Sequence, residues 1–152
     1  MLLIIEILRL LTGFSVFVPE TGVGPVESGS FEVTKCSPRN RSLLLARIQT
    51  DFAPELKDAD IDEAYCIDPS GLQSPEFEIA LISAGPAIDP GMPRVAGSGG
   101  EAAWVLRNAF GSRPLLQPSL VTDWFIEFSG SNSFDAVAVY PDGRTAVVYY
   151  RD

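Results

Sequence analysis

Phe134-Asp135-Ala136-Val137-Ala138-Val139-Tyr140-Pro141-Asp142-Gly143-Arg144-Thr145-Ala146-Val147-Val148-Tyr149-Tyr150-Arg151 reads as two strands joined by a tight turn. Pro141-Asp142-Gly143-Arg144 predicts a type I turn with Gly143 in the left-handed position, where a side chain would clash. Both flanking runs carry the β-branched and aromatic side chains that suit a pleated surface. Working outward, Glu76 to Ser83 alternates Phe77, Ile79 and Leu81 against Glu76, Glu78 and Ala80, which predicts another strand. Ser30 to Cys36 alternates in the same way, and Phe14 to Val18 predicts a short strand.

Two helices are expected between these strands. Arg41 to Phe52 stacks Leu44, Ile48 and Phe52 at four-residue spacing, with Leu45 beside them, and Pro54 ends it. Gly100 to Phe110 buries Ala103, Trp104 and Leu106 and stops near Gly111 and Pro114. Pro118 to Phe128 fits either period. A helix would gather Leu120, Val121, Trp124, Phe125 and Phe128 on one face behind Pro118, and we read it as a helix. The segment Asp51 to Asp68 reads as a solvated acidic loop. Its Asp58-x-Asp60-x-Asp62 spacing fails as a calcium loop, because Glu63 stands where glycine is needed and Pro69 where a bidentate glutamate is needed. Interleaved helices and strands with a closing hairpin predict an α+β domain over residues 1–152, a layered fold with a largely antiparallel sheet flanked by helices.

Composition excludes more than it assigns. The chain has 152 residues, 20 acidic and 11 basic, a net charge of -9 and no histidine. Nucleic acid and anionic membranes both need a positive surface, so neither is expected as a partner. Without imidazole there is no Ser-His-Asp triad, no Cys-His dyad and no His-ligated metal. No metal, cofactor or catalytic residue is predicted. Cys36 and Cys66 are too few and too widely spaced for a metal knuckle, and they read as reduced, buried thiols of a cytoplasmic protein, with a bridge between them as the lesser alternative. Met1 to Val18 is apolar, but Glu6 and Arg9 interrupt it, no basic region precedes it and no Ala-x-Ala site follows. It reads as a buried strand or helix rather than a signal peptide or membrane span.

The stretch Val95-Ala96-Gly97-Ser98-Gly99-Gly100-Glu101-Ala102-Ala103 is a glycine-rich turn running into a helix with small residues on its first turn. Free N–H groups and a close helix approach follow from it. From Phe77 onward, the order of strand, Gly-Ser-Gly turn, alanine-faced helix, Ser129-Gly130 loop and closing hairpin around Asp142-Gly143 resembles the second half of proteasome-type subunits. That resemblance implies an N-terminal-nucleophile αββα sandwich. It also implies that Ser98, Gly99 and Gly100, with Ser129 and Gly130, border the family's site. The family's nucleophilic threonine has no counterpart, since the chain begins Met1-Leu2-Leu3 and holds no Gly-Thr junction. Gly29-Ser30 is the one glycine–nucleophile pair before a plausible strand. The resemblance therefore implies a non-catalytic copy.

Three function classes follow. The chain is expected to be a protein-binding or self-assembling subunit. The alternative is a small acidic inhibitor or immunity-type protein that blocks a basic partner, with Tyr140, Tyr149 and Tyr150 as interface aromatics. An enzyme working through paired carboxylates is the third.

Overall fold

The Pro141–Arg144 turn forms where the sequence places it. The Gly143 N–H donates to the Tyr140 carbonyl at 3.0 Å, Gly143 has φ +92, and Asp142 accepts from both the backbone and the guanidinium of Arg144. The computed structural model describes residues 34–67 and 76–151, all within one compact unit, Val33–Asp152. The expectations for residues 1–18 and for the strand from Ser30 fall mostly outside the described residues, as does part of the 1–152 single-domain reading.

The described chain runs α1 (Pro38–Asp51), β1 (Ile61–Ile67), β2 (Glu76–Ile82), β3 (Arg94–Val95), α2 (Gly100–Phe110), β4 (Asp123–Phe128), β5 (Phe134–Val139) and β6 (Thr145–Arg151). The six strands form one sheet in the order β1-β2-β6-β5-β4-β3, and every neighbouring pair is antiparallel. The α+β class with a helix-flanked antiparallel sheet is what the sequence predicts. A second sheet, as in an αββα sandwich, is not among the described elements.

Alternation along the strands separates two cores. On one face, Ala80, Ile82, Val137, Val147 and Tyr149 pack against Leu44, Ile48 and Phe52 of α1 and its exit. Ser37 caps that helix, its hydroxyl accepting from the Asn40 N–H at 3.2 Å, and Pro38 occupies the first turn, where its missing N–H costs nothing. On the other face lie Ile79, Leu81, Phe134, Ala136, Ala138, Ala146, Val148 and Tyr140. Helix α2 covers this side with Ala102, Ala103, Val105, Leu106 and Phe110 turned inward.

Four readings are corrected. Pro118 to Phe128 is not a helix: a single 3-10 turn over Pro118–Leu120 leads into β4. Pairing with β5 overrides the helical face, placing Trp124 and Ile126 on the α2 side and Phe125 against the α1 side. The acidic segment is not all loop, since Ile61–Ile67 is a strand carrying Ile61, Ala64 and Tyr65 into the two cores. Cys36 and Cys66 are neither reduced nor fully buried. They form a disulfide, brought together because residues 34–36 lie antiparallel beside β1, with Cys36 N–H donating to Ala64 O at 2.9 Å and Cys66 N–H to Thr34 O at 3.2 Å. Finally, Tyr140, Tyr149 and Tyr150 are core residues, because the hairpin that carries them sits inside the sheet rather than at its rim.

Candidate functional site

Register stacks four aromatic side chains in a row on the α2 face, one from each of four adjacent strands. Phe128 stands opposite Phe134, Phe134 opposite Tyr150, and Tyr150 opposite Phe77. Their ring centroids are 5.9, 5.0 and 6.4 Å apart in that order, distances at which aromatic pairs attract. Phe77, Phe134 and Tyr150 are buried, whereas Phe128 is 60% exposed. The row is therefore closed at three positions and open at the β4 end.

Beside Phe128 the glycine turn makes one wall of a groove of about 370 Å³. Val95, Ala96, Ser98, Gly99, Gly100, Glu101 and Ala102 line it on that side, and Ile126, Phe128 and Phe134 line it on the other. The turn has a packing cause. Gly99 has φ +84, and a Cβ there would collide with the Trp124 indole, so glycine is what lets the α2 start lie against β4. The Gly99 carbonyl then accepts from Ala102 and Ala103 N–H at 3.0 and 3.3 Å, opening the helix. Glu101 stands in the first turn, where the helix dipole favours a negative charge.

The structure thus brings Ser98, Gly99 and Gly100 to one groove. Ser129 and Gly130 do not line it. They form the β4–β5 turn directly after Phe128, where Ser129 N–H donates to Ser133 O at 2.8 Å and Gly130 has φ +93. Phe128 itself went unread as a site residue. Its signal was present, an aromatic immediately before a Ser-Gly turn, but which face it occupies depends on β5.

Two other grooves carry less. One of about 320 Å³ is lined by Asn40, Arg47, Cys66, Glu76, Phe77, Glu78, Tyr149 and Arg151. Its cations are engaged: Arg47 pairs with Glu78 at 3.2 Å and lies 3.7 Å above the Tyr149 ring, while Arg151 pairs with Asp135 at 2.8 Å and donates to the Phe134 and Tyr150 carbonyls. The other, about 690 Å³, lies among the loops holding Pro54–Lys57 and Ala84–Ala87.

The electrostatics speak for structural pairing. Hydrogen bonds from Arg113 and Tyr65 hold the Glu63 carboxyl down at about 2, against the desolvation that opposes them. Backbone and side-chain bonds from Arg144 lower Asp142 as well. A general acid needs the reverse displacement. Among the described residues no group of three or more Asp, Glu or Cys side chains converges as a metal site. No described helix is long and apolar enough to cross a membrane.

Comparison with known proteins yields no match to any family model, curated protein or solved structure.

Proposed function

We propose that this domain works by contact with another protein, without chemistry of its own, and that the groove at Phe128 is the contact. The observation that carries the reading is the open end of the aromatic row. A large ring held in register by buried neighbours costs little entropy to immobilise, which is the property of an interface anchor. Glu101 on the groove wall and the net charge of -9 favour a basic partner, since complementary charge raises the rate and selectivity of encounter. A small inhibitory or immunity-type protein would use the same surface to block such a partner. In a proteasome-like assembly the partner would be a neighbouring subunit.

The disulfide bears on where this happens. Such bridges persist in oxidising compartments and are rare in the cytosol, so the Cys36–Cys66 bond supports an oxidising site of action over a cytoplasmic one.

The test is a reconstituted binary complex. Proteins cross-linked to the chain are identified, purified and titrated against it by calorimetry. Phe128→Ala is expected to weaken the complex by about tenfold or more. Leu115→Ala, which removes another exposed apolar side chain, should leave it unchanged. A complex that ignores Phe128→Ala but needs Leu115 would sink the reading.

A further inference from the structure

Asn40-Arg41-Ser42 has the Asn-x-Ser/Thr form of an N-glycosylation acceptor. The other asparagines, Asn108 and Asn132, have Phe110 and Phe134 where the acceptor needs a hydroxyl. The triplet lies in the opening of α1, directly behind the Ser37 cap. Asn40 and Ser42 are exposed. Arg41 between them is turned to the fold, donating to the Asp58 carboxylate at 2.8 Å and to the Ile61 carbonyl at 2.7 Å. The Ser37 hydroxyl holds the Asn40 backbone N–H, while among the described residues the Asn40 side-chain amide has no partner. The Asn108 amide, by contrast, donates to the Trp104 carbonyl at 2.9 Å.

We propose that Asn40 is an N-glycosylation site. The proposal rests on the oxidising compartment argued above, since the lumen that closes a bridge such as Cys36–Cys66 is also where such acceptors meet their sugar donor. A second feature of α1 points the same way. Leu43, the next residue along that helix face, is 56% exposed. Residues three apart are neighbours on a helix, and a leucine leans back over the preceding turn, so Leu43 lies beside the Asn40 amide. The apolar face and acetyl methyl of an N-acetylhexosamine would cover it. In the transfer, Asn40 Nδ2 attacks C1 of the sugar on a lipid-linked diphosphate donor. The N–C1 bond forms, the C1–O bond breaks, the lipid diphosphate leaves with the electron pair, and the Nδ2 proton passes to a carboxylate of the transferring enzyme. Helix α1 covers the sheet face opposite the aromatic row, so the glycan leaves the Phe128 groove open to a partner.

The test recovers the full chain from its own cells and measures the mass of the Asn40 peptide before and after peptide N-glycosidase in heavy-oxygen water. A peptide carrying N-acetylhexosamine is expected, and the enzyme should strip the sugar and leave a heavy-oxygen aspartate at position 40. Asn40→Gln and Ser42→Ala should each abolish the added mass, Ser42→Thr should keep it, and Asn132→Gln should leave it unchanged. Alkylation of Cys36 and Cys66 in the same preparation separates the two readings. A bare Asn40 in protein whose cysteines resist alkylation would overturn the glycan and leave the oxidising compartment standing. A bare Asn40 with both cysteines labelled would remove both. Sugar that persists in Ser42→Ala would overturn the assignment to this triplet. Asn40 and Ser42 are exposed, so the thermal unfolding profile of the variants is the control for folding.

Discussion

Arg113 grips Glu63 with both arms of its guanidinium: Nη1 donates to Oε1 at 2.8 Å and Nη2 to Oε2 at 2.5 Å. Arg113 follows α2 and Glu63 belongs to β1, so this pair ties the exit of the covering helix to the far edge of the sheet. Tyr65 donates its hydroxyl to the same carboxylate and lays its ring edge-on to Phe110, 5.9 Å away.

The pair makes a prediction about acid. Glu63 is held at about 2 in the fold against an ordinary 4.5, chiefly by the bond from Arg113. A depressed carboxyl contributes its full stability above 4.5 and loses it as pH falls toward 2. Arg113 is more than a third exposed, so solvent screening reduces the effect to about 1 kcal/mol. Glu63→Gln should therefore lower the thermal midpoint at neutral pH, and the gap from wild type should close below pH 4.5. A gap that persists at pH 2 would contradict the assignment.

Reduction of the Cys36–Cys66 bridge should destabilise the domain. Its partners are 30 residues apart, a separation for which loop-closure entropy suggests about 3.6 kcal/mol. Urea denaturation with and without a thiol reductant measures the difference. Alkylation of the native protein should label no thiol at either position before reduction.

Substitutions in the glycine turn should separate by position. Gly99→Ala meets the Trp124 ring as well as an unfavourable φ, and it should cost more than about 2 kcal/mol. Gly97 and Gly100 also have positive φ, but nothing stands where their Cβ would go. Alanine there should cost about 1 kcal/mol. Denaturant midpoints of the three variants rank them, and equal costs would refute the packing argument.

Buried tyrosines set the alkaline limit. Burial pushes Tyr140 up to about 12, and its hydroxyl donates to the Leu116 carbonyl at 3.0 Å. Burial also raises Tyr149, together with its bond to Asp51 at 2.9 Å. A raised phenol contributes stability that is complete below its unfolded value of 10 and fades as pH climbs through 12. Phenolate absorbance should consequently lag behind that of the urea-unfolded chain. Tyr140→Phe should narrow the lag.

Local signals told the truth wherever the residues concerned answer to near neighbours. Gly100 to Phe110 is the helix the small first turn predicts, Glu76–Ile82 is the alternating strand, and the Asp142-Gly143 turn joins β5 to β6. What escaped was set by pairing at a distance. Trp124 and Phe128 satisfy a helical face and a strand face alike, and only β5 chooses between them. Ile61, Ala64 and Tyr65 are diluted among acids, so their strand shows only when β2 lies beside it. Cys36 and Cys66 meet through that same strand. The glycine turn was legible as a close approach, but the surface it approaches, Trp124, was not. The three tyrosines were misplaced because a hairpin's own sequence does not say whether other strands flank it.

That placement has a last consequence for how the sheet is made. Strands β3 to β6 and the β1–β2 hairpin are two blocks with mostly local pairings, and β6 is the seam along which they fuse, from Glu76 opposite Arg151 to Ile82 opposite Thr145. Among the described strands the seam strand is the last in sequence order. During synthesis the β1–β2 block must wait with one bare, apolar margin until residues 145–151 leave the ribosome, and a chain cut short before them would carry two sticky borders instead of a closed sheet.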